Sequence, residues 1–531
     1  MKLKISSFLF AFLLFVANVQ AQGVTNKATV QFGEEVKDGK RVLLEGVVHY
    51  ADDGMYVIKY SVSFFAPTKY IIEKFDLDLK RVKSAPLIFR NKKVVPEYFV
   101  SLNGNLYVLF EEKDKDAKVT RYYQQGFDET TFKLKDEIIE ISSIEYEKNR
   151  NRGEFYFEKS KKNSKLLIYN HMPYERKEAQ KLGFKVFDKD FKLLWQKNVT
   201  MPYKDELFEV NEYQVDNAGN CYIIGKLYQE KKEARKSKRD KRPIFEYKIL
   251  KYTATEDTPL EYTPKLNDHF ITDIQISLDR EDNIVCVGFY SEKGYYQIKG
   301  SFYLSIDKEN KKIENQKIEE FEVSFMTETD NARVQKRAKK KSEKGKTVEL
   351  YKYNINEIIL KEKGGAVVVA EQYYMYEVVH HTKNGSYTTY HYVYGDIIVL
   401  NMDEKGNVLW KTKIPKAQHT VNDFGLISSY ALTVVGDRLY FVFNDHPDNM
   451  TYVAGGKDRM KNFVGMKTKK IVTTLVEVDN KGKQTREMLY EYNRRKQWLF
   501  AQKGKQVAKN ELMLYTGMKG FKSQFIRVKF K

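Results

Sequence analysis

The chain has 531 residues and carries 92 Lys and Arg against 72 Asp and Glu, a net charge of +20. Aromatic residues make up 14% of it and there are only 10 Pro, a mix that favours β-strands and argues against a disordered chain. Two cysteines are too few for a disulfide scaffold, and the length allows a large core or several domains.

The N-terminus has the pattern of a secretory signal peptide over residues 1–21. A basic start is followed by an apolar run over 8–16 and by a small-residue cleavage site that ends at Ala21. The run is shorter than the ~20 residues that a membrane-spanning helix needs. No Cys follows the cleavage site, and no later segment is apolar for long enough to span a bilayer. We therefore predict an exported protein of the periplasm or cell surface, folded over 22–531, without a lipid anchor or transmembrane segment.

Eight similar hairpins follow one another along the rest of the chain. In each of them a turn ends in Gly, Asn, Asp or Ser, and an apolar run begins at once. The turn-ending residues are Gly54, Asn105, Ser164, Asn220, Asn283, Gly365, Asp437 and Asn510. The apolar runs are continuous rather than alternating, which is typical of strands in a sheet that is buried on both faces.

A second kind of hairpin, whose turn begins with Asp, lies between successive members of the first kind. It is clearest at 184–202 and 396–415, where a Trp follows the Asp by seven residues: Trp195 follows Asp188, and Trp410 follows Asp403. Two hairpins make a unit of four strands, and repeated four-stranded units are typical of propeller blades. We expect the Trp side chains to fill the core between blades rather than to form a ligand platform.

The sequence thus predicts an all-β fold, a single closed β-propeller. Eight first hairpins indicate eight blades, whereas only seven second hairpins are complete, so a count of seven stays open. The N-terminal strand 28–36 is expected to pair with 524–530, completing the last blade and closing the ring. A pair of β-sandwiches is the alternative, because short strands at regular spacing also describe that fold.

The two cysteines occupy the apolar runs that follow the turns. Cys221 follows Asn220 directly, and Cys286 lies three residues after Asn283. We expect the two thiols on opposite faces of their blades, both free and buried.

Strand order places the turns within each hairpin on one rim and the longer connections on the other. Long insertions on one rim are typical of a binding face. Three of these insertions are basic loops, at 228–246, 325–352 and 444–470. Their most basic residues include Lys236, Lys238 and Arg239 in the first loop and Lys339, Lys340 and Lys341 in the second. These loops are predicted to contact a polyanion; the alternative is that they are solvated segments.

Two neighbouring loops of this rim are rich in His and Asp. His419 and Asp423 lie in one loop, and Asp445, His446 and Asp448 lie in the other. Together they could ligate a metal ion or supply a carboxylate pair for acid–base chemistry; Asx turns and strand caps are the alternative and the preferred interpretation. The chain has no Gly-rich phosphate loop, G-x-S-x-G elbow or Cys-x-x-Cys spacing, and we predict no cofactor and no metal ion.

The hairpin 371–396 has a turn at Asn384-Gly385. A two-residue turn there would place Thr389 opposite His380, with His380 and His391 on one face. The tyrosines of this hairpin could stack against sugars or pack as a flap on the next blade.

Residues 395–449, "GDIIVLNMDEKGNVLW" onward to "FNDHPDN", resemble a family of uncharacterised secreted β-propeller-like proteins of Bacteroidota. A looser likeness extends over 320–531. The resemblance implies export and no catalytic residues. It draws attention to His419, Asn422, Asp423, Asn444 and Asp445.

Two functions remain open. The first is an exported, non-catalytic binding or scaffold protein whose partner is an anionic polysaccharide, lipopolysaccharide or an envelope protein. The second is a glycan-active hydrolase or lyase that uses carboxylates of the 419–448 cluster. We expect a monomer, and no nucleic-acid partner, because an exported protein seldom meets nucleic acid.

Overall fold

A computed structural model describes the structure of most of the chain. The described residues are 25–62, 68–90, 94–148, 153–173, 178–230, 244–266, 269–279, 283–292, 296–361, 364–383, 385–468, 470–490 and 497–531. The signal peptide predicted at 1–21 lies outside them, and so do Lys236, Lys238 and Arg239.

The described residues form eight antiparallel sheets of four or more strands, arranged one after another along the chain. The first four sheets contain Val42–Ala51, Gly54–Ser61, Lys69–Asp76 and Arg81–Pro86; Val95–Leu102, Asn105–Asp114, Val119–Asp128 and Lys133–Glu145; Glu154–Lys159, Lys165–His171, Ala179–Asp188 and Leu193–Lys204; and Phe208–Val215, Cys221–Leu227, Glu246–Tyr252 and Leu260–Tyr262.

The remaining four sheets follow the same plan, and the sixth has one added strand. They contain Phe270–Leu278, Ile284–Ser291, Gly300–Ile306 and Ile313–Glu320; Tyr353–Leu360, Ala366–Thr382, Gly385–Met402, Val408–Ile414 and the added Gln418–Val421; Ala431–Val435, Arg438–Asp445, Val472–Val478 and Gln484–Tyr490; and Gln497–Leu499, Lys505–Ala508, Glu511–Met518, Lys522–Phe530, Ala28–Phe32 and Val36–Lys37.

Short elements lie in the connections. They are the strand pair Gln297–Ile298 and Leu350–Tyr351, the α-helices Val323–Met326 and Ala332–Glu343, and the 3-10 helices Pro447–Thr451, Gly465–Lys467 and Ala501–Lys503. No helix among the described residues has both the length and the apolar character needed to cross a bilayer.

The eighth sheet joins the two ends of the chain. Ala28 pairs with Phe530 and Phe32 with Ile526, so Ala28–Phe32 lies antiparallel beside Lys522–Phe530. Val36 continues the pairing opposite Ser523. The predicted pairing of the N-terminal strand with the last strand is confirmed.

The hydrophobic core is divided into clusters that lie between successive sheets. One cluster joins each sheet to the next, from the first sheet through to the eighth. A further cluster joins the eighth sheet to the first, where the rings of Phe525 and Phe75 meet at 5.0 Å. Each sheet is therefore buried on two faces by two neighbours, which explains the continuous apolar runs in the sequence. The fold is all-β and propeller-like, and this packing is not that of two separate sandwiches.

The repeated Asp forms an Asx turn between the third and fourth strands of a sheet. Asp188 Oδ1 accepts hydrogen bonds from the backbone N–H of Asp190 and Lys192, both at 2.9 Å. Asp403 Oδ1 accepts from Lys405 N–H at 2.9 Å and from Asn407 N–H at 2.8 Å. The shared sequence pattern therefore reports a shared turn geometry.

The tryptophans of the two repeated hairpins, Trp195 and Trp410, connect neighbouring sheets. Trp195 Nε1 donates to Gly219 O at 3.0 Å in a turn of the fourth sheet, and Trp410 Nε1 donates to Asn480 O at 2.9 Å in a turn of the seventh. Both rings pack, partly buried, against the cluster between their own sheet and the next. The expected role between blades is confirmed.

Both cysteines are free and buried, as expected. The prediction that they occupy opposite faces is wrong. Cys221 lies in the cluster between the third and fourth sheets, and Cys286 lies between the fourth and fifth, so each faces the preceding sheet. Offsets of one and three residues from the turn are both odd, and alternation along a strand therefore places both thiols on the same face.

The first strand of the third sheet carries a carboxyl group with a perturbed pKa. Burial, together with the neighbouring Glu212 carboxylate, raises the pKa of Glu158 to about 7. The folded protein therefore binds a proton that the unfolded chain releases at a pKa of about 4.5. Stability from this group is complete below pH 4.5 and is lost as the pH rises through 7.

Glu158→Gln should consequently flatten the pH dependence of stability. Urea midpoints at pH 5 and pH 8 are expected to differ less for this variant than for the original protein, and the variant should be the more stable of the two at pH 8. The exposed Glu137 provides a matched Glu→Gln control. An unchanged dependence in Glu158→Gln would show that Glu158 titrates at the same pH in both states.

Candidate anion-binding face

The basic insertion 325–352 contains a helix, and its description as a loop is corrected. The helix Ala332–Glu343, named here the basic helix, begins after Asn331, whose side chain accepts a hydrogen bond from Val334 N–H at 3.1 Å. Its sequence is made almost entirely of Ala, Lys, Arg, Gln and Glu, which are good helix formers. None of its residues is buried, so no apolar periodicity marked it in the sequence.

The basic helix exposes a dense set of cations. Lys339, Lys340 and Lys341 are all exposed near its C-terminal end. Cations at that end are favoured by the carbonyl groups that the last turn leaves unpaired. A helix presents these charges in fixed positions, whereas the predicted loop would not.

The basic helix is attached to the basic insertion of the seventh sheet. Ala332 N–H donates to Gly456 O at 2.9 Å, and Gly455 N–H donates to Asp330 O at 2.8 Å. Tyr452 OH donates to Thr329 O at 2.7 Å. Two insertions that are distant in sequence therefore form one surface, named here the basic face: the basic helix and the loop 446–468.

The loop contributes further exposed cations to the basic face. They are Lys457, Arg459, Lys461 and Lys467. Phe463 anchors the loop, because its ring is fully buried and its backbone O accepts a hydrogen bond from His419 N–H at 2.9 Å.

His419 and Asp423 lie close to each other in the chain but have different partners. His419 Nε2 lies 2.9 Å from His391 Nδ1, and partial burial together with His391 lowers the pKa of His419. Asp423 Oδ1 accepts from Thr420 Oγ1 at 2.6 Å and from Gly425 N–H at 3.0 Å. Asp423 therefore stabilises a local turn, which was the alternative interpretation of the sequence.

Asp445 and His446 also have partners of their own. Asp445 is fully buried and lies 2.6 Å from Arg486, and burial raises its pKa. His446 Nδ1 accepts from Asp448 N–H at 3.2 Å and caps a 3-10 helix. These groups have separate partners, and their use as a single site stays a prediction. In the part of the chain that the structure describes, no three His, Cys, Asp or Glu side chains are arranged to hold a metal ion.

A buried ion pair beneath these loops was not predicted. Lys416 Nζ lies 2.8 Å from Glu371 Oε1, and both side chains are almost completely buried. Ser429 Oγ donates to Glu371 Oε2 at 2.6 Å, and Lys416 Nζ also donates to Gln418 Oε1 at 3.1 Å. Burial is the main cause that lowers the pKa of Lys416, and Glu371 opposes it. The pair fixes the start of the connection that carries His419 and Asp423.

The flap, defined as residues 373–394 of the sixth sheet, has a different register from the predicted one. His380 pairs with Tyr387 rather than with Thr389, since pairing continues to Thr382 and Gly385 at the tip. Thr382 Oγ1 donates to Gly385 O at 2.8 Å and supports this pairing. The prediction that His380 and His391 share a face is confirmed by bonds of 2.9 and 3.1 Å to Thr389 Oγ1 between them.

Comparison with protein-family models finds no match, and comparison with curated proteins finds none either. Among solved structures, the chain is similar to the WD40 domain of SCAP from fission yeast, with 8% identity over 95% of this chain and 99% of that chain and a TM-score of 0.40. It is also similar to the β-propeller domain of the Trilobed protease from Pyrococcus furiosus, with 11% identity over 86% and 98% and a TM-score of 0.34.

A third similar structure is an ulvan lyase from a new family of polysaccharide lyases. It has 8% identity to this chain over 64% of this chain and 78% of that chain, with a TM-score of 0.33. These likenesses are too distant to bear on function.

Proposed function

We propose that this protein is an exported, non-catalytic binding protein, built as a single closed propeller of eight blades. The signal-peptide pattern of residues 1–21 supports export. Ring closure is supported by the pairing of Ala28 with Phe530 and by the cluster between the eighth and first sheets. Long connections gathered on one rim of such a ring are the natural binding surface.

The proposed ligand is an anionic polymer of the cell envelope, an acidic polysaccharide or lipopolysaccharide phosphate. The observation that carries this proposal is the attachment of the basic helix to the loop 446–468 by Ala332, Gly455 and Tyr452. Lys340 lies eight residues beyond the attachment at Ala332, roughly 12 Å along the helix axis at 1.5 Å per residue, a distance that an extended polymer can span. An extended anion could therefore contact both elements at once.

The hydrolase or lyase alternative receives less support. A catalytic carboxylate pair has to face an open cleft and exchange protons with a substrate. Asp445 is fully buried against Arg486, and Asp423 accepts two hydrogen bonds within its own turn.

The test is retention on heparin and on lipid A-containing surfaces. The triple variant carries Lys339→Glu, Lys340→Glu and Lys341→Glu. Its affinity should be about 100-fold weaker, because each surface cation contributes about 1 kcal/mol of binding free energy. A matched control reverses three exposed lysines in turns of the other rim: Lys189→Glu, Lys405→Glu and Lys481→Glu. The control should be retained like the original protein. Equal loss in both triple variants would indicate net charge alone and would remove the basic face as the site.

A further inference from the structure

A row of aromatic rings runs along one face of the flap to the edge of the basic face. This row is named here the ring ladder. It consists of Tyr296, Tyr351, Tyr374, Tyr376, His391 and His419. Successive ring centroids lie 6.4, 6.1, 6.3, 4.7 and 5.2 Å apart.

Strand geometry explains why these rings share a face. Tyr374 and Tyr376 are two residues apart in one strand, and His391 pairs directly with Tyr376. His419 comes from the added strand Gln418–Val421 and lies opposite Val393. Tyr351 comes from the short strand pair in the connection between the fifth and sixth sheets. Four separate segments of the chain, which carry Tyr296, Tyr351, the flap residues and His419, thus build one continuous surface.

Lys352 places a cation within the ring ladder. Lys352 Nζ lies 4.7 Å from the ring centroid of Tyr296, 5.5 Å from that of Tyr351 and 5.7 Å from that of Tyr374. Ring faces attract a cation and hold it in position. The nearby Glu349 accepts a hydrogen bond from Ser291 Oγ at 3.2 Å, which directs its carboxylate towards the protein.

The ring ladder is open to solvent and continuous with the basic face. Tyr351 is 44% exposed and Tyr376 is 39% exposed. At the other end, His419 N–H donates to Phe463 O of the loop 446–468 at 2.9 Å. A ligand that leaves the ring ladder therefore meets the cations of that loop.

We propose that the ring ladder binds an acidic polysaccharide chain. Sugar rings would stack on the tyrosine faces, with a carboxylate or sulfate group of the chain at Lys352. The proposal rests on the proposed function of the basic face and narrows its ligand from any anionic polymer to a glycan. The rings of Tyr296, Tyr351 and Tyr374 meet at 68° and 65°, so a sugar chain would contact ring faces and ring edges in turn. A bilayer instead favours apolar side chains that project from the surface.

The experiment measures the affinity of heparin-derived oligosaccharides by calorimetry, and tyrosine fluorescence during the same titration. Tyr351→Ala combined with Tyr376→Ala should weaken binding roughly tenfold to a hundredfold, as expected for two lost ring contacts. Tyr351→Phe with Tyr376→Phe keeps the rings and should restore binding. Tyr390→Ala is the matched control, because Tyr390 is 42% exposed on the opposite face of the flap.

The outcomes separate this inference from the proposed function. If the double Ala variant binds like the original protein while the triple Lys→Glu variant binds weakly, the ring ladder is not the subsite, although the basic face stands. If neither variant loses affinity, both proposals fail. Tighter binding to single-stranded DNA or to anionic phospholipid vesicles than to the oligosaccharide would overturn the assignment of a glycan.

Discussion

Removing the N-terminal strand is expected to unfold the protein or make it aggregate at temperatures where the intact fold is stable. Val36 is buried in the cluster between the eighth and first sheets, and Val30 and Phe32 are partly buried between the seventh and eighth. Loss of these three side chains removes roughly 4–6 kcal/mol of hydrophobic stabilisation. That amount is comparable with the whole stability of an ordinary domain, about 5–15 kcal/mol.

The deletion also exposes hydrogen-bonding groups of the last strand. Residues 522–530 would become an open edge, and an open edge is a template for aggregation. The comparison is between proteins that begin at residue 25 and at residue 38, measured by thermal melting and light scattering. A synthetic peptide of residues 25–37 should restore the melting temperature of the shorter protein by adding the missing strand. The same peptide with Phe32→Asp and Val36→Asp should not. Equal melting temperatures for the two proteins would show that the N-terminal strand does not hold the fold together.

Replacing Lys416 with Met is expected to lower the free energy of unfolding by about 3–5 kcal/mol. The change leaves the Glu371 carboxylate buried with Ser429 as its remaining hydrogen-bond donor. An uncompensated buried charge is far costlier than the loss of an exposed ion pair, which is worth about 0–1 kcal/mol.

A double variant separates two contributions to the free energy of unfolding: the cost of leaving Glu371 charged without Lys416, and the contribution of the ion pair itself. Lys416→Met with Glu371→Leu removes both charges and should recover most of the lost stability. The exposed-pair control is Lys265→Met, which breaks the contact between Lys265 and Glu246, 61% and 45% exposed. Urea unfolding gives the comparison. A double variant as unstable as Lys416→Met alone would mean that the loops need the ion pair itself, and not merely a filled, neutral core.

Local signals explain what could be predicted from the sequence. The turn residues, such as Asn220 and Asp403, act within a few positions of themselves, so the hairpins and their order followed from them. Continuous apolar runs then implied sheets covered on both faces. The same strands predicted the packing of the Trp rings between sheets and the burial of two free Cys thiols. The face of Cys286 was predicted wrongly, because its offset of three residues from the turn was counted as even.

Contacts between distant segments explain what could not be predicted. Lys416 and Glu371 meet only after the sixth sheet and its connection have folded, and neither residue carries a distinctive neighbour in sequence. The basic helix has an N-cap residue, Asn331, and a run of helix formers that could have predicted it. It was interpreted as a loop because of its high density of charge. The His and Asp residues looked like one site because two loops flank one hairpin, yet Asp445 is held inwards by Arg486.

The salt dependence of polysaccharide affinity tests the central claim most directly. The logarithm of the association constant for heparin is measured against the logarithm of the salt concentration, for the original protein and the two triple Lys→Glu variants. A protein that binds a polyanion releases the counterions condensed on it, so the original protein should show a steep negative slope. Each lost contact between a cation and the polyanion makes the slope shallower. The slope should become shallower for the variant at Lys339, Lys340 and Lys341 and remain unchanged for the variant at Lys189, Lys405 and Lys481. A slope near zero for the original protein, or equal slopes for all three proteins, would contradict a binding function for the basic face.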